Sequence, residues 1–116
     1  MTVQNLIDRA AVRDLFAGTD ADTLRHLFDA AAADLEESCE RLIMGWRKDD
    51  RAMLQLALRS LDSLCDNFGA EPLRESCGQT LRDEQAIVAL RDRCRATLDA
   101  VLATIEELDM GAIPET

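Results

Sequence analysis

Apolar residues recur along this chain in steps of three and four, the spacing that lines one side of an α-helix. The first such run places Val3, Leu6, Ile7, Ala10, Val12 and Leu15 together, which predicts a short helix from Val3 to Phe16 closed by Gly18. Thr19-Asp20-Ala21-Asp22 follows, rich in N-cap residues and in carboxylates that suit the positive end of a helix. A second, longer helix carries Leu24, Phe28, Ala31, Leu35, Cys39, Leu42 and Trp46 as one stripe. Gly45 and the polar Arg47-Lys48-Asp49-Asp50 mark its turn.

A third helix runs through Leu54, Leu58, Leu61, Leu64, Cys65 and Phe68, with Gly69 as its C-terminal stop. A shorter fourth has Pro72 in its first turn and Leu73, Cys77 and Leu81 inward. Asp83-Glu84 opens the last, whose stripe is Ile87, Leu90, Cys94, Leu98, Val101, Ile105 and Leu108. Ala30 to Ala33 is a run of small residues that permits close helix packing, and the tail after Gly111 is expected to fray. Short loops between long helices force antiparallel neighbours. The pattern therefore predicts an all-α fold, an up-and-down four-helix bundle over residues 19–109 with an additional N-terminal helix at 1–18 and a tail at 110–116.

Composition narrows this without changing it. The 116 residues fit one domain; 47% are hydrophobic and 31% charged, too apolar for disorder. With three Phe, one Trp and no Tyr, the core must be aliphatic. A net charge of −10 repels phosphate backbones and anionic lipid heads, which excludes nucleic acid and membrane surfaces as partners. No signal-peptide pattern opens the chain and no apolar run approaches a membrane span, so the expected location is cytoplasmic.

Four cysteines, Cys39, Cys65, Cys77 and Cys94, contain no Cys-x-x-Cys pair, and the only histidine, His26, is remote from them. Each falls on or beside an apolar stripe. They read as reduced thiols acting as small core hydrophobes, with zinc and redox chemistry as the alternatives. No metal or cofactor is called for.

The segment from Ala57 to Ala70, Ala-Leu-Arg-Ser-Leu-Asp-Ser-Leu-Cys-Asp-Asn-Phe-Gly-Ala, resembles the signature of histidine-phosphotransfer (HPt) domains. Leu61, Asn67-Phe68-Gly69-Ala70, Leu73 and Cys77 stand where that signature expects them, and helix order and length agree from about Thr19 to Leu108. The resemblance implies an HPt-like bundle that meets a response-regulator receiver domain or a histidine kinase. It also shows what is missing. The family's phosphorylated histidine aligns with Arg59, its lysine three residues on with Asp62, and the next glycine with Ser63.

Arginine stays protonated, with a pKa above roughly 12, and offers no lone pair for attack. Asp62 would repel a phosphoryl group where the family has a cation, and Ser63 adds bulk at a point of close approach. The expectation is a protein that is not an enzyme and does not relay phosphate. Helical spacing puts Gln55, Arg59, Asp62, Ser63 and Asp66 on one exposed face, the candidate partner-binding surface. The simpler reading of Arg59 pairs it with Asp62 one turn away, worth a few tenths of a kcal/mol. The sharper one sends its guanidinium into the acidic pocket of a receiver, where it can grip carboxylates in a bidentate fork.

Three rivals remain. A phosphate-accepting relay intermediate would need a non-standard residue, since His26 reads as a surface or boundary residue. Asp62-Ser63-Leu64 matches the tripeptide at which acyl carriers receive phosphopantetheine; those serines open a helix, whereas Ser63 is expected late in one. The third is a helical bundle that binds an unrelated protein.

Overall fold

A computed structural model of the chain describes residues 5–111, with side chains through residue 108. Five helices follow in order: α1 (Arg9–Phe16), α2 (Ala21–Lys48), α3 (Arg51–Phe68), α4 (Glu71–Cys77) and α5 (Glu84–Gly111). Among the described residues there is no strand. The all-helical class and the existence of all five helices match the apolar periodicity.

The two longest helices set the shape. Twenty-eight residues in α2 and in α5 make each about 42 Å long. α2 packs against α3 and α5, α4 bridges α3 and α5, and α1 lies across α3 and α5. The molecule measures 54 × 35 × 18 Å, an elongated bundle. The core is aliphatic as expected, with Leu35, Leu42, Leu61, Leu73, Leu90 and Val101 fully buried around Phe68.

Each helix start has a physical cause. Asp20 Oδ1 accepts from the Thr23 amide at 2.8 Å, Asp50 Oδ1 from Met53 at 3.1 Å, and Asp83 Oδ1 from Ala86 at 2.7 Å. These aspartates satisfy amides that have no partner inside the helix. α4 has Pro72 in its first turn and no side-chain cap. Leu81 is buried as expected, although it lies in the loop after α4 rather than in the helix.

α1 departs from expectation. It starts at Arg9 because Asp8 caps it, accepting from the amides of Ala10 and Ala11 at 3.0 and 3.2 Å. That start turns Val12 and Phe16 inward and leaves Leu15 47% exposed, while Ile7 is buried from a non-helical lead-in. Val3 and the tail after Gly111 lie outside the described residues. Gly45, read as part of a turn, is instead inside α2 and buried. A Cβ there would stand 2.9 Å from the Leu54 side chain, so its role is to let α2 and α3 approach. The turn itself is made by Asp49, in the left-handed region at φ 55°, with the Asp50 amide bonded to the Gly45 carbonyl at 2.9 Å.

The end of α3 is the most constrained corner. Gly69, at φ 61°, donates to the Asp66 carbonyl at 3.3 Å, and Ala70 donates to the Cys65 carbonyl at 2.9 Å. This pair of bonds is a Schellman motif, which ends the helix and satisfies its last carbonyls. The Phe68 carbonyl then accepts from the Asp8 amide at 2.9 Å. A Cβ on Gly69 would lie 2.3 Å from the Cβ of Asp8. Glycine is required here twice over, by backbone conformation and by the approach of Asp8.

Across the α2–α5 seam, Arg91 Nε and Nη2 donate to the two carboxylate oxygens of Glu40, each at 2.8 Å. This bidentate pair holds the Glu40 carboxyl below its ordinary value of 4.5, chiefly through the hydrogen bond from Arg91 and then through its charge, against the opposing effect of burial.

Gly69→Ala should cost about 3 kcal/mol in urea unfolding, from the left-handed φ and the clash with Asp8 together. Asp8→Ala should cost only about 1 kcal/mol, the loss of a cap. The Glu40–Arg91 pair stabilises fully above pH 4.5 and is lost as pH falls through the lowered folded value. Glu40→Gln should therefore flatten the acid limb of a stability–pH profile, by less than about 1 kcal/mol because both side chains are half exposed.

Candidate functional site

The residues singled out in sequence fall on α3, within twelve consecutive residues. Gln55, Arg59, Asp62, Ser63 and Asp66 are all exposed, on the side opposite buried Ala57, Leu61, Cys65 and Phe68. The hydrophobic stripe imposes this: with Ala57, Leu61, Cys65 and Phe68 facing the core, the opposite side of the helix faces out. α3 thus presents a continuous polar face with Arg59 near its middle.

The expected pair between Arg59 and Asp62 does not form. Among the described residues no ion pair reaches Arg59; the carboxylates of its face are held by Arg74 of α4. Arg74 Nη2 donates to Asp66 Oδ1 and, at 3.4 Å, to the Asp62 backbone carbonyl. Its Nε stands 3.9 Å from Asp62 Oδ1 and 3.8 Å from Glu71 Oε2. These contacts raise the Arg74 pKa, the hydrogen bond with Asp66 being the largest cause. Placement is the cause: α4 folds back beside the end of α3 and delivers a guanidinium to the acidic residues, leaving Arg59 exposed to solvent.

This changes the chemical reading of Asp62. Taken alone, it is an anion where a phosphoryl group would need a cation. Arg74 offsets part of that charge, one guanidinium shared among Asp62, Asp66 and Glu71. The absence of a nucleophile at Arg59 is untouched, since a protonated guanidinium has no lone pair to offer. Ser63 lies inside α3 and not at a helix start, as the sequence led one to expect. His26 is exposed on α2.

Two contributors to this face were not anticipated. Leu56, one turn before Arg59, is 64% exposed, an apolar side chain among polar ones. Its position off the Leu54-Leu58-Leu61 stripe was visible in the spacing. Arg74 was not legible in the same way, because nothing in the sequence states where α4 lies against α3.

Buried polar chemistry elsewhere is structural. Thr97 and Thr104 replace hydrocarbon at two core positions of α5, and each hydroxyl bonds the carbonyl four residues back, at 2.7 and 3.0 Å. Among the described residues no group of three or more His, Cys, Asp or Glu side chains is arranged to hold a metal ion. No described helix is long and apolar enough to cross a membrane.

Compared with protein-family models, curated proteins and solved structures, the chain has no match.

Arg59→Ala should change unfolding free energy by no more than about 0.5 kcal/mol, as for a partnerless surface residue. Arg74→Ala should lower it measurably in the same urea titration, because it strips the counterion from Asp62 and Asp66. Equal effects would show that Arg74 does not anchor α4.

Proposed function

We propose that this protein is an HPt-like module of two-component signalling that binds a response-regulator receiver domain or a histidine kinase without accepting phosphate. The observation that carries this reading is the Arg59 guanidinium, exposed and unpaired at the position that matches the family's acceptor histidine. Supporting it is the Asn67-Phe68-Gly69-Ala70 corner of the HPt-like signature, here a Schellman turn with left-handed Gly69. A helical bundle that presents one polar helix face is the scaffold such docking needs.

In this reading the acidic pocket of a receiver is met by Arg59, whose planar fork pairs with carboxylates in a bidentate manner. Leu56 supplies an apolar contact beside it. Arg74 reduces the repulsion that Asp62 and Asp66 would exert on an acidic partner. The interaction is noncovalent, carries no cofactor or metal, and takes place in the cytoplasm. The chain blocks or scaffolds a phosphorelay rather than passing it on.

Incubation with phosphorylated receiver domains and kinases of the source organism tests the proposal, following complex formation and label transfer together. Complex formation with no label on this chain is the expected result. Acid-labile label on the chain would make it a relay intermediate, and failure to bind any receiver or kinase would leave an unrelated interaction bundle. Transfer of phosphopantetheine to Ser63 would establish the carrier reading instead. Arg59→Glu should weaken the complex about tenfold or more, as reversal of a contact charge does. Arg47→Glu, on α2 and 3.6 Å from Glu84, should have a much smaller effect. Equal losses would reduce the role of Arg59 to general electrostatics.

A further inference from the structure

The four cysteines come from four different helices, Cys39 from α2, Cys65 from α3, Cys77 from α4 and Cys94 from α5, and all are free and buried. They are not scattered. Cys39 and Cys94 face each other across the α2–α5 seam and line the same cleft, and Cys77 is the other close neighbour of Cys39.

Access separates one pair from the others. A cleft of about 280 Å³ opens along the α2–α5 seam, and both Cys39 and Cys94 line it. Cavities a twentieth of that size admit a water molecule. Its rim is charged, with Glu36 and Glu40 from α2 facing Arg91 and Arg95 from α5. Cys65 and Cys77 are not among its lining residues.

We propose that Cys39 and Cys94 are a redox-active pair, oxidised by a small hydroperoxide entering this cleft to a disulfide that ties α2 to α5. The assignment is independent of any role for Arg59.

The order of events follows from the environments of the two sulfurs. The Cys39 thiol beside it lowers the pKa of Cys94, with burial, Glu36 and Glu40 opposing and Arg95 assisting. Cys39 is shifted up, by its neighbours Cys77 and Cys94 first and by burial after them, so it holds its proton. Cys65 is pushed up to about 12, chiefly by burial. The thiolate is the nucleophile, so Cys94 reacts first. Its sulfur attacks the peroxide, the O–O bond breaks, and the sulfur gains oxygen as a sulfenic acid while hydroxide or alkoxide leaves. Cys39 then attacks that sulfur, the S–S bond forms, the S–O bond breaks, and the oxygen departs as water with the Cys39 proton. Two thiols lose two electrons in all, and the peroxide gains them.

The test uses the reduced full chain, treated with hydrogen peroxide, quenched with an alkylating agent under denaturing conditions, and mapped by mass spectrometry. Alkylatable thiols should fall from four to two, the mass should drop by about 2 Da, and the bridge should join the peptides of Cys39 and Cys94. Helical circular dichroism should persist throughout, and the oxidised protein should melt at a higher temperature. Cys94→Ala should abolish the bridge and slow the first oxidation, whereas Cys65→Ala should leave both unchanged. Four surviving thiols would overturn the proposal. So would a bridge between Cys65 and Cys77, sulfinic acid at Cys94 without a bridge, or loss of helix before bridging, each readable on the wild-type chain if a variant fails to fold.

Discussion

The hydrogen bond from the Asp8 amide to the Phe68 carbonyl, at 2.9 Å, holds together more of this structure than its own strength suggests. It exists because Gly69 has no side chain where Asp8 must stand. Three helices depend on that corner. α3 ends there through the bonds of Gly69 and Ala70, α4 begins at the fully buried Ala70, and α1 begins at Asp8. The same approach fixes which side of α1 faces inward, since the cap position sets its phase. A one-residue change in that phase would exchange Phe16 for Leu15 in the core.

From this corner the polar face of α3 acquires its character. The tight reversal after Phe68 returns α4 alongside α3, and Arg74 reaches Asp62 and Asp66. Two carboxylates that would otherwise compete for Arg59 are thereby occupied. A face composed of one arginine, two aspartates and small polar residues becomes one exposed cation, one exposed leucine and an acidic row partly offset by Arg74. The functional reading follows from that rearrangement as much as from the residues themselves.

The opposite seam has a different logic. α2 and α5 meet along nearly their whole length, yet charged residues occupy the outer edge, with Arg91 forked onto Glu40. Behind them the packing turns to sulfur. Cysteine serves there as a small apolar side chain, and its low hydrogen-bonding demand permits three thiols to meet without stranded polar atoms. The same softness that suits a core makes the pair at the cleft chemically available.

Much of this was readable from the chain alone. The helical class, all five helices, the aspartate caps at Asp20 and Asp83, and the stop at Gly69 follow from local chemistry. A stripe with a period near 3.6 can bury itself in only one way. So do the exposure of Gln55, Arg59, Asp62, Ser63 and Asp66, which the buried stripe dictates, and the exclusion of Arg59 as a nucleophile, which its protonation dictates. What the sequence left open were relations between segments. The start of α1 was misplaced because Asp8 is an ordinary residue until Phe68 binds its amide. Gly45 was taken for a turn because its partner, Leu54, is nine residues away. The Arg59–Asp62 pair was expected from spacing along one helix and displaced by an arginine from another. Spacing along the chain determines which side of a helix is buried; which side chains then meet across helices is decided by packing, where the nearest opposite charge or the smallest gap in space prevails.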